Sequence, residues 1–71
     1  MKKSEDIISI FTKNMRNIRI AKELTQEELS FNSGLHKNYI SDTERGVRNI
    51  SLKTVEKIAK GLGVEIQELF K

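Results

Sequence analysis

The stretch Thr25 to Gly46, TQEELSFNSGLHKNYISDTERG, reads as two short helices broken by one glycine. Thr25 is followed three residues later by Glu28, so the Thr25 hydroxyl can cap a helix while the Glu28 carboxylate reaches back to the cap. A helix is therefore expected from Gln26, with Leu29 turned inward. Asn32, Ser33 and Gly34 then end it, because glycine takes positive φ at little cost, and the turn should be about one residue wide. A second helical pattern follows Leu35 and runs to Arg45. It buries Leu35 and Ile40 and leaves His36, Lys37, Asn38, Ser41, Asp42 and Arg45 outward, until Gly46 stops it. Two such helices, the second studded with hydrogen-bonding side chains at its start, predict a helix-turn-helix whose second helix enters the major groove of DNA.

Working outward, 71 residues leave room for one domain, residues 1–71, and a chain this short gains from a partner subunit. Charged residues at 32% against apolar ones at 37% suit a compact helical domain better than a disordered tail. The chain has no cysteine and a single histidine, which excludes disulfides, thiolate sites and a histidine metal cluster within one chain. No metal or other cofactor is expected. The opening MKKSEDIISIF breaks its apolar residues with Glu5, Asp6 and Ser9, so it reads as the start of an amphipathic helix, and a cytoplasmic protein is expected.

The net charge of +3 is mild, but its distribution is informative. Lys13, Arg16, Arg19 and Lys22 have no acid between them, and Lys37, Arg45, Arg48, Lys53 and Lys57 outnumber Asp42, Glu44 and Glu56. A basic surface beside a groove-reading helix is the footprint of DNA binding.

Before the motif, a first helix is expected from Glu5 to about Lys22, capped by Ser4, with Glu5 and Asp6 at the positive end of its dipole. Ile7, Ile8, Phe11, Met15 and Ile18 form its core stripe, with Ile10 and Ile20 off it. After the motif, Ser51 should cap a fourth helix that buries Leu52, Val55, Ile58, Ala59 and Leu62 and ends at Gly63, with Gly61 an internal weakness. Val64 to Lys71 is expected to form a short fifth helix. The sum is an all-α, compact five-helix domain with the helix-turn-helix at helices two and three.

Met15 to Phe70 resembles the lambda-repressor-like, Xre-type helix-turn-helix family. The likeness rests on Arg16 and Arg19, Leu24-Thr25-Gln26-Glu27-Glu28-Leu29, Gly34-Leu35, Tyr39-Ile40-Ser41, Glu44-Arg45-Gly46 and Ile58-Ala59-Lys60-Gly61-Leu62-Gly63-Val64, followed by Leu69-Phe70. Within that family, LHKNYISDTERGVRNISLKTVEKI is most like the controller proteins of restriction-modification systems. The resemblance implies a sequence-specific transcriptional regulator that binds near-palindromic operators as a homodimer and regulates its own gene and the endonuclease gene. RNA polymerase is a further candidate partner.

The same resemblance implies roles for individual residues. Arg19 and Glu44 would form a structural ion pair, and Gln26 would bond a backbone phosphate. Lys37 and Asn38 fall where family members read base edges, lysine suiting guanine and asparagine adenine. Asp42 could accept from cytosine N4 or stand at the rim and repel phosphate. Tyr39 could meet the DNA backbone with its hydroxyl or pack on Phe31, with Ser41 beside it. Arg45, Arg48 and Asn49 would meet phosphates.

Three residues depart from the family pattern. His36 replaces the usual Ser or Thr cap of helix three, which leaves that helix less tightly fixed and frees the imidazole for phosphate. Glu23 replaces a glycine, so that turn either avoids positive φ or stores strain, and Glu65 replaces a small polar cap. The implied dimer would use helices four and five, through Leu62, Val64, Ile66 and Phe70. An antitoxin or protein-interaction adaptor with a contact patch at Ile20 and Phe31 is the alternative. An enzyme is the poorest reading, with no cysteine, one histidine, no glycine-rich phosphate loop and too little chain to enclose a pocket.

Overall fold

The computed structural model describes residues 6–71, which form four α-helices and one 3-10 helix. Helix α1 spans Ile7–Ala21, α2 Gln26–Ser33, α3 Lys37–Glu44 and α4 Leu52–Leu62; the 3-10 helix spans Ile66–Phe70. The expected Ser4 cap and Glu5 lie outside the described residues. Asp6 is extended and caps α1 itself, its carboxylate accepting the Ile8 N–H at 3.2 Å, so the helix begins at Ile7. The link between α2 and α3 is three residues, Gly34, Leu35 and His36, wider than expected because His36 serves as the cap of α3 and stays outside it.

A core of Phe11, Met15, Leu29, Ile40, Val55, Ile58, Ala59, Leu62 and Leu69 joins all the elements. The capping box of α2 is complete: the Thr25 hydroxyl accepts from the Glu28 N–H at 3.0 Å, and the Thr25 N–H donates to the Glu28 carboxylate at 2.8 Å. Fixing this start orients Leu29 into the core, where it meets α4. At Gly61 the two helices approach so closely that a Cβ there would stand 2.9 Å from both Leu29 Cδ1 and Ser33 Cβ. The glycine expected to weaken α4 is therefore what lets α2 lie against it.

Three helices end in one way. After α1, Leu24 N–H bonds Arg19 C=O at 3.0 Å and Glu23 N–H bonds Ile20 C=O at 2.9 Å, the paired closure of a Schellman motif. The same pair of bonds recurs at Gly46 and at Gly63. Its pivot needs positive φ, which glycine supplies at 46 and 63, whereas Glu23 is forced to φ 59°. Of the two outcomes open for that turn, strain is the one found.

The fifth helix is a 3-10 segment of five residues in place of an α-helix. Glu65 contributes no side-chain cap, and a run this short cannot sustain α geometry alone. Docking holds it instead. Leu69 is fully buried, Phe70 stacks on Phe11 with ring centroids 5.6 Å apart, and the Asn14 amide donates to the carbonyls of Leu69 and Lys71 at 3.0 and 3.2 Å.

Two apolar residues expected inside are outside. Leu52 is 86% exposed and Ile7 58% exposed, since each opens its helix at an edge that none of the other described elements covers. They flank shallow apolar hollows also lined by Val55, Ile66 and Phe70.

Candidate nucleic-acid interface

Helix α3 is held at its angle by a buried ion pair between α1 and its own last residue. Arg19 Nε and Nη2 donate to the two Glu44 carboxylate oxygens at 2.6 and 3.1 Å, and Arg19 Nη1 donates to the Leu24 carbonyl at 2.8 Å. Both side chains are nearly buried, so either charge left alone would be strongly destabilising, by about 3–5 kcal/mol. Gln26 joins this cluster, its amide donating to Glu44 at 3.1 Å. One of its two amide hydrogens is thus committed to the protein.

At the start of α3, His36 is an effective cap: its Nδ1 accepts the Asn38 N–H at 3.1 Å. The expectation of a loosely fixed start is corrected, because a neutral imidazole nitrogen can replace a hydroxyl oxygen as acceptor. Behind it, Ser30 Oγ donates to the Leu35 carbonyl, and Leu35 N–H donates to Ser33 Oγ at 3.3 Å, which braces the turn. Lys37 and Asn38 follow in the first turn of α3, both exposed.

Farther along the helix the side chains engage one another. Tyr39 and Thr54 of α4 are joined hydroxyl to hydroxyl at 2.9 Å, and the Arg48 guanidinium lies 4.8 Å from the centre of the Tyr39 ring. Tyr39 does not pack on Phe31, which is 87% exposed on α2. Ser41 is half-buried and Asn49 exposed. Asp42 meets Arg45 Nη2 at 2.6 Å through one oxygen and Arg48 Nε at 3.4 Å through the other. The hydrogen bond from Arg45 above all holds its carboxyl below the ordinary value; desolvation opposes this, while the charge of Arg45 and the weaker pairing with Arg48 add to it. As a reader of cytosine, Asp42 is therefore already engaged on both oxygens.

Thus Lys37 and Asn38 lie at the entry of α3 with Arg45, Arg48 and Asn49 at its exit. The dimer residues expected from sequence divide: Leu62 is 2% exposed and locked in the core, so it offers nothing to a second copy, while Val64 and Phe70 are half-buried and Ile66 is exposed. Sequence reasoning missed Thr54, giving a role only to Ser51 as the cap of α4, and it took the exposed Leu52 as buried. Among the described residues no helix is long and apolar enough to cross a membrane, and no group of acidic or histidine side chains could hold a metal ion.

Comparison with known proteins bears on this arrangement directly. The helix-turn-helix family profile matches residues 15–69. The control protein C.BamHI of Bacillus amyloliquefaciens is 46% identical over 67 residues, covering 93% of this chain and 83% of that protein. The crystal structure of the restriction-modification controller protein C.AhdI from Aeromonas hydrophila superposes with a TM-score of 0.84 at 44% identity, covering 89% of this chain and 96% of that one. The controller protein C.Esp1396I, solved as a tetramer with its natural 35 base-pair operator, gives a TM-score of 0.82 at 36% identity, covering 96% of this chain and 100% of that one. The chain belongs to the helix-turn-helix family of DNA-binding regulators, in the group that holds the restriction-modification controller proteins.

Proposed function

We propose that this protein is the homodimeric controller of a restriction-modification system, binding a near-palindromic operator that governs its own gene and the endonuclease gene. The observation that carries the reading is the division of α3: exposed Lys37 and Asn38 on a capped first turn, and Arg45 and Arg48 where the helix leaves. Lysine and asparagine at that position can donate to guanine and adenine edges, while the arginines, with Gln26 and Asn49, set register on phosphates. Twin α3 helices would sit about 34 Å apart, one helical turn, to read two half-sites.

The second copy would cover the apolar edge made by Leu52, Ile66, Phe70 and Ile7. C.Esp1396I as a tetramer on one operator supports a further step in which two dimers share a longer site, so that occupancy sets output. Activation at low occupancy would need a contact with RNA polymerase.

The test is a selection of DNA from a random library, repeated with Lys37→Ala, Asn38→Ala and Arg48→Ala. The first two variants should change the recovered sequence and the third should weaken binding without changing it. Recovery of no consensus by the unaltered protein would sink the reading. The adaptor reading keeps one observation of its own, the exposed Phe31 and half-exposed Ile20; it predicts weak, sequence-blind DNA binding in the same assay.

A further inference from the structure

We propose that Asp42 sets specificity by restraint: its carboxylate holds Arg45 and Arg48 against α3 and withholds them from DNA on which the helix does not seat. The inference rests on the DNA-binding reading above and adds a role no base contact supplies.

The geometry builds this restraint from the backbone upward. Gly46, at φ 73°, lets the chain fold back at the end of α3, and Val47 N–H bonds the Asp42 carbonyl at 3.2 Å. That reversal returns Arg48 over α3, where its guanidinium has the Tyr39 ring as a floor and Asp42 as counter-ion. Arg45, three residues beyond Asp42, reaches the other oxygen from the last turn. The floor is itself fixed, because the Tyr39 hydroxyl is tied to Thr54, which is tied to Ser51. Two cations and one anion therefore present one net charge where two arginines alone would present two.

All three side chains are partly open to water, Arg45 most of all at 66% exposure. Exposed bridges of this kind are weak and salt-sensitive, so phosphates brought close by a seated helix can displace them. Where the bases do not match and α3 stays short of the groove, the carboxylate remains the nearer partner and also repels the DNA backbone. Non-specific binding, which is almost wholly phosphate attraction, then loses more than specific binding does.

The experiment compares Asp42→Asn with Glu27→Gln, which removes one negative charge from the exposed start of α2 outside these bridges. Each is titrated by fluorescence anisotropy against a mixed-sequence duplex and against the duplex the unaltered protein selects, over a range of salt. One extra phosphate contact per protomer is two per bound dimer, which at about 0.1 M salt corresponds to roughly fifty- to a hundredfold tighter binding and a log–log salt slope steeper by about two. Asp42→Asn should show both on the mixed-sequence duplex, with a smaller gain on the selected one, while Glu27→Gln changes affinity by less than about twofold. Adding Arg45→Gln and Arg48→Gln to Asp42→Asn should abolish the gain. Equal behaviour of Asp42→Asn and Glu27→Gln would overturn the proposal, as would a changed base preference for Asp42→Asn with no gain on mixed sequence, which would make Asp42 a reader. Salt-independent binding by the unaltered protein would instead bring down the DNA-binding reading itself.

Discussion

Gly61 of α4 lies so close to Leu29 of α2 that a methyl group on the glycine would stand 2.9 Å from Leu29 Cδ1. The Leu29 tip could shift, but Ser33 Cβ at 2.9 Å and Ser33 N at 3.1 Å belong to the body of α2 and cannot without moving the helix. Alanine would raise helix propensity by up to about 1 kcal/mol, yet overpacking costs about 1–3 kcal/mol, and Ser33 Cβ can retreat only with the backbone that carries it. Gly61→Ala should therefore lower stability in urea unfolding. Because α2 carries the turn into α3, the variant should also weaken DNA binding more than its lost stability explains.

The Arg19–Glu44 pair predicts a non-additive cycle. Arg19→Met or Glu44→Leu alone should each cost about 3–5 kcal/mol, since each leaves a buried charge unpaired. The double variant should cost less than the sum, with the remaining loss falling on the Leu24 carbonyl and the Gln26 amide, which lose their partners. Denaturant midpoints of the four proteins decide the matter.

Glu23→Gly should stabilise the fold by about 0.5–1 kcal/mol. Relief of the left-handed conformation exceeds the extra chain entropy that glycine brings to the unfolded state. Thermal unfolding measures it directly. A melting temperature equal to or below that of the unaltered protein would show that the turn at Glu23 carries no strain.

Asp42 predicts a narrow acid dependence. Its carboxyl is held below the ordinary value of 3.8, so the folded state favours the charged form. The stabilising contribution is present above that ordinary value and is lost as pH falls through the lower, folded one. Carbon-detected NMR titration should show Asp42 remaining ionised below pH 3.8, with Arg45 and Arg48 side-chain signals changing together as it protonates. In Asp42→Asn that joint change should vanish.

What the sequence made legible was local. Thr25 and Glu28 announce the start of α2 because a capping box is made by residues three apart, and the α1 stripe at Phe11 and Met15 follows from helical spacing alone. Leu62 was rightly expected on the buried face of α4, though too deep to meet a second copy, whereas Leu52 was expected inside and stands exposed. Both fit the apolar periodicity of α4, but whether a position on that face is covered depends on where neighbouring elements end, and α4 outruns its cover at Leu52. The 3-10 form of Ile66–Phe70 was hidden because docking against α1 sets it. The engagement of Asp42 could not be read either, as it depends on the loop after Gly46 turning back over α3.

Asn14 grips the end of the chain by its main chain, through the carbonyls of Leu69 and Lys71, and asks nothing of the side chains there beyond Leu69 and Phe70. Ile66, Gln67 and Glu68 are exposed on a segment held by someone else's hydrogen bonds. They can change without unfolding anything. On the proposed dimer, whose apolar edge includes Ile66, regulators of this build could be kept from forming mixed pairs by changes in this short segment, with α3 left untouched.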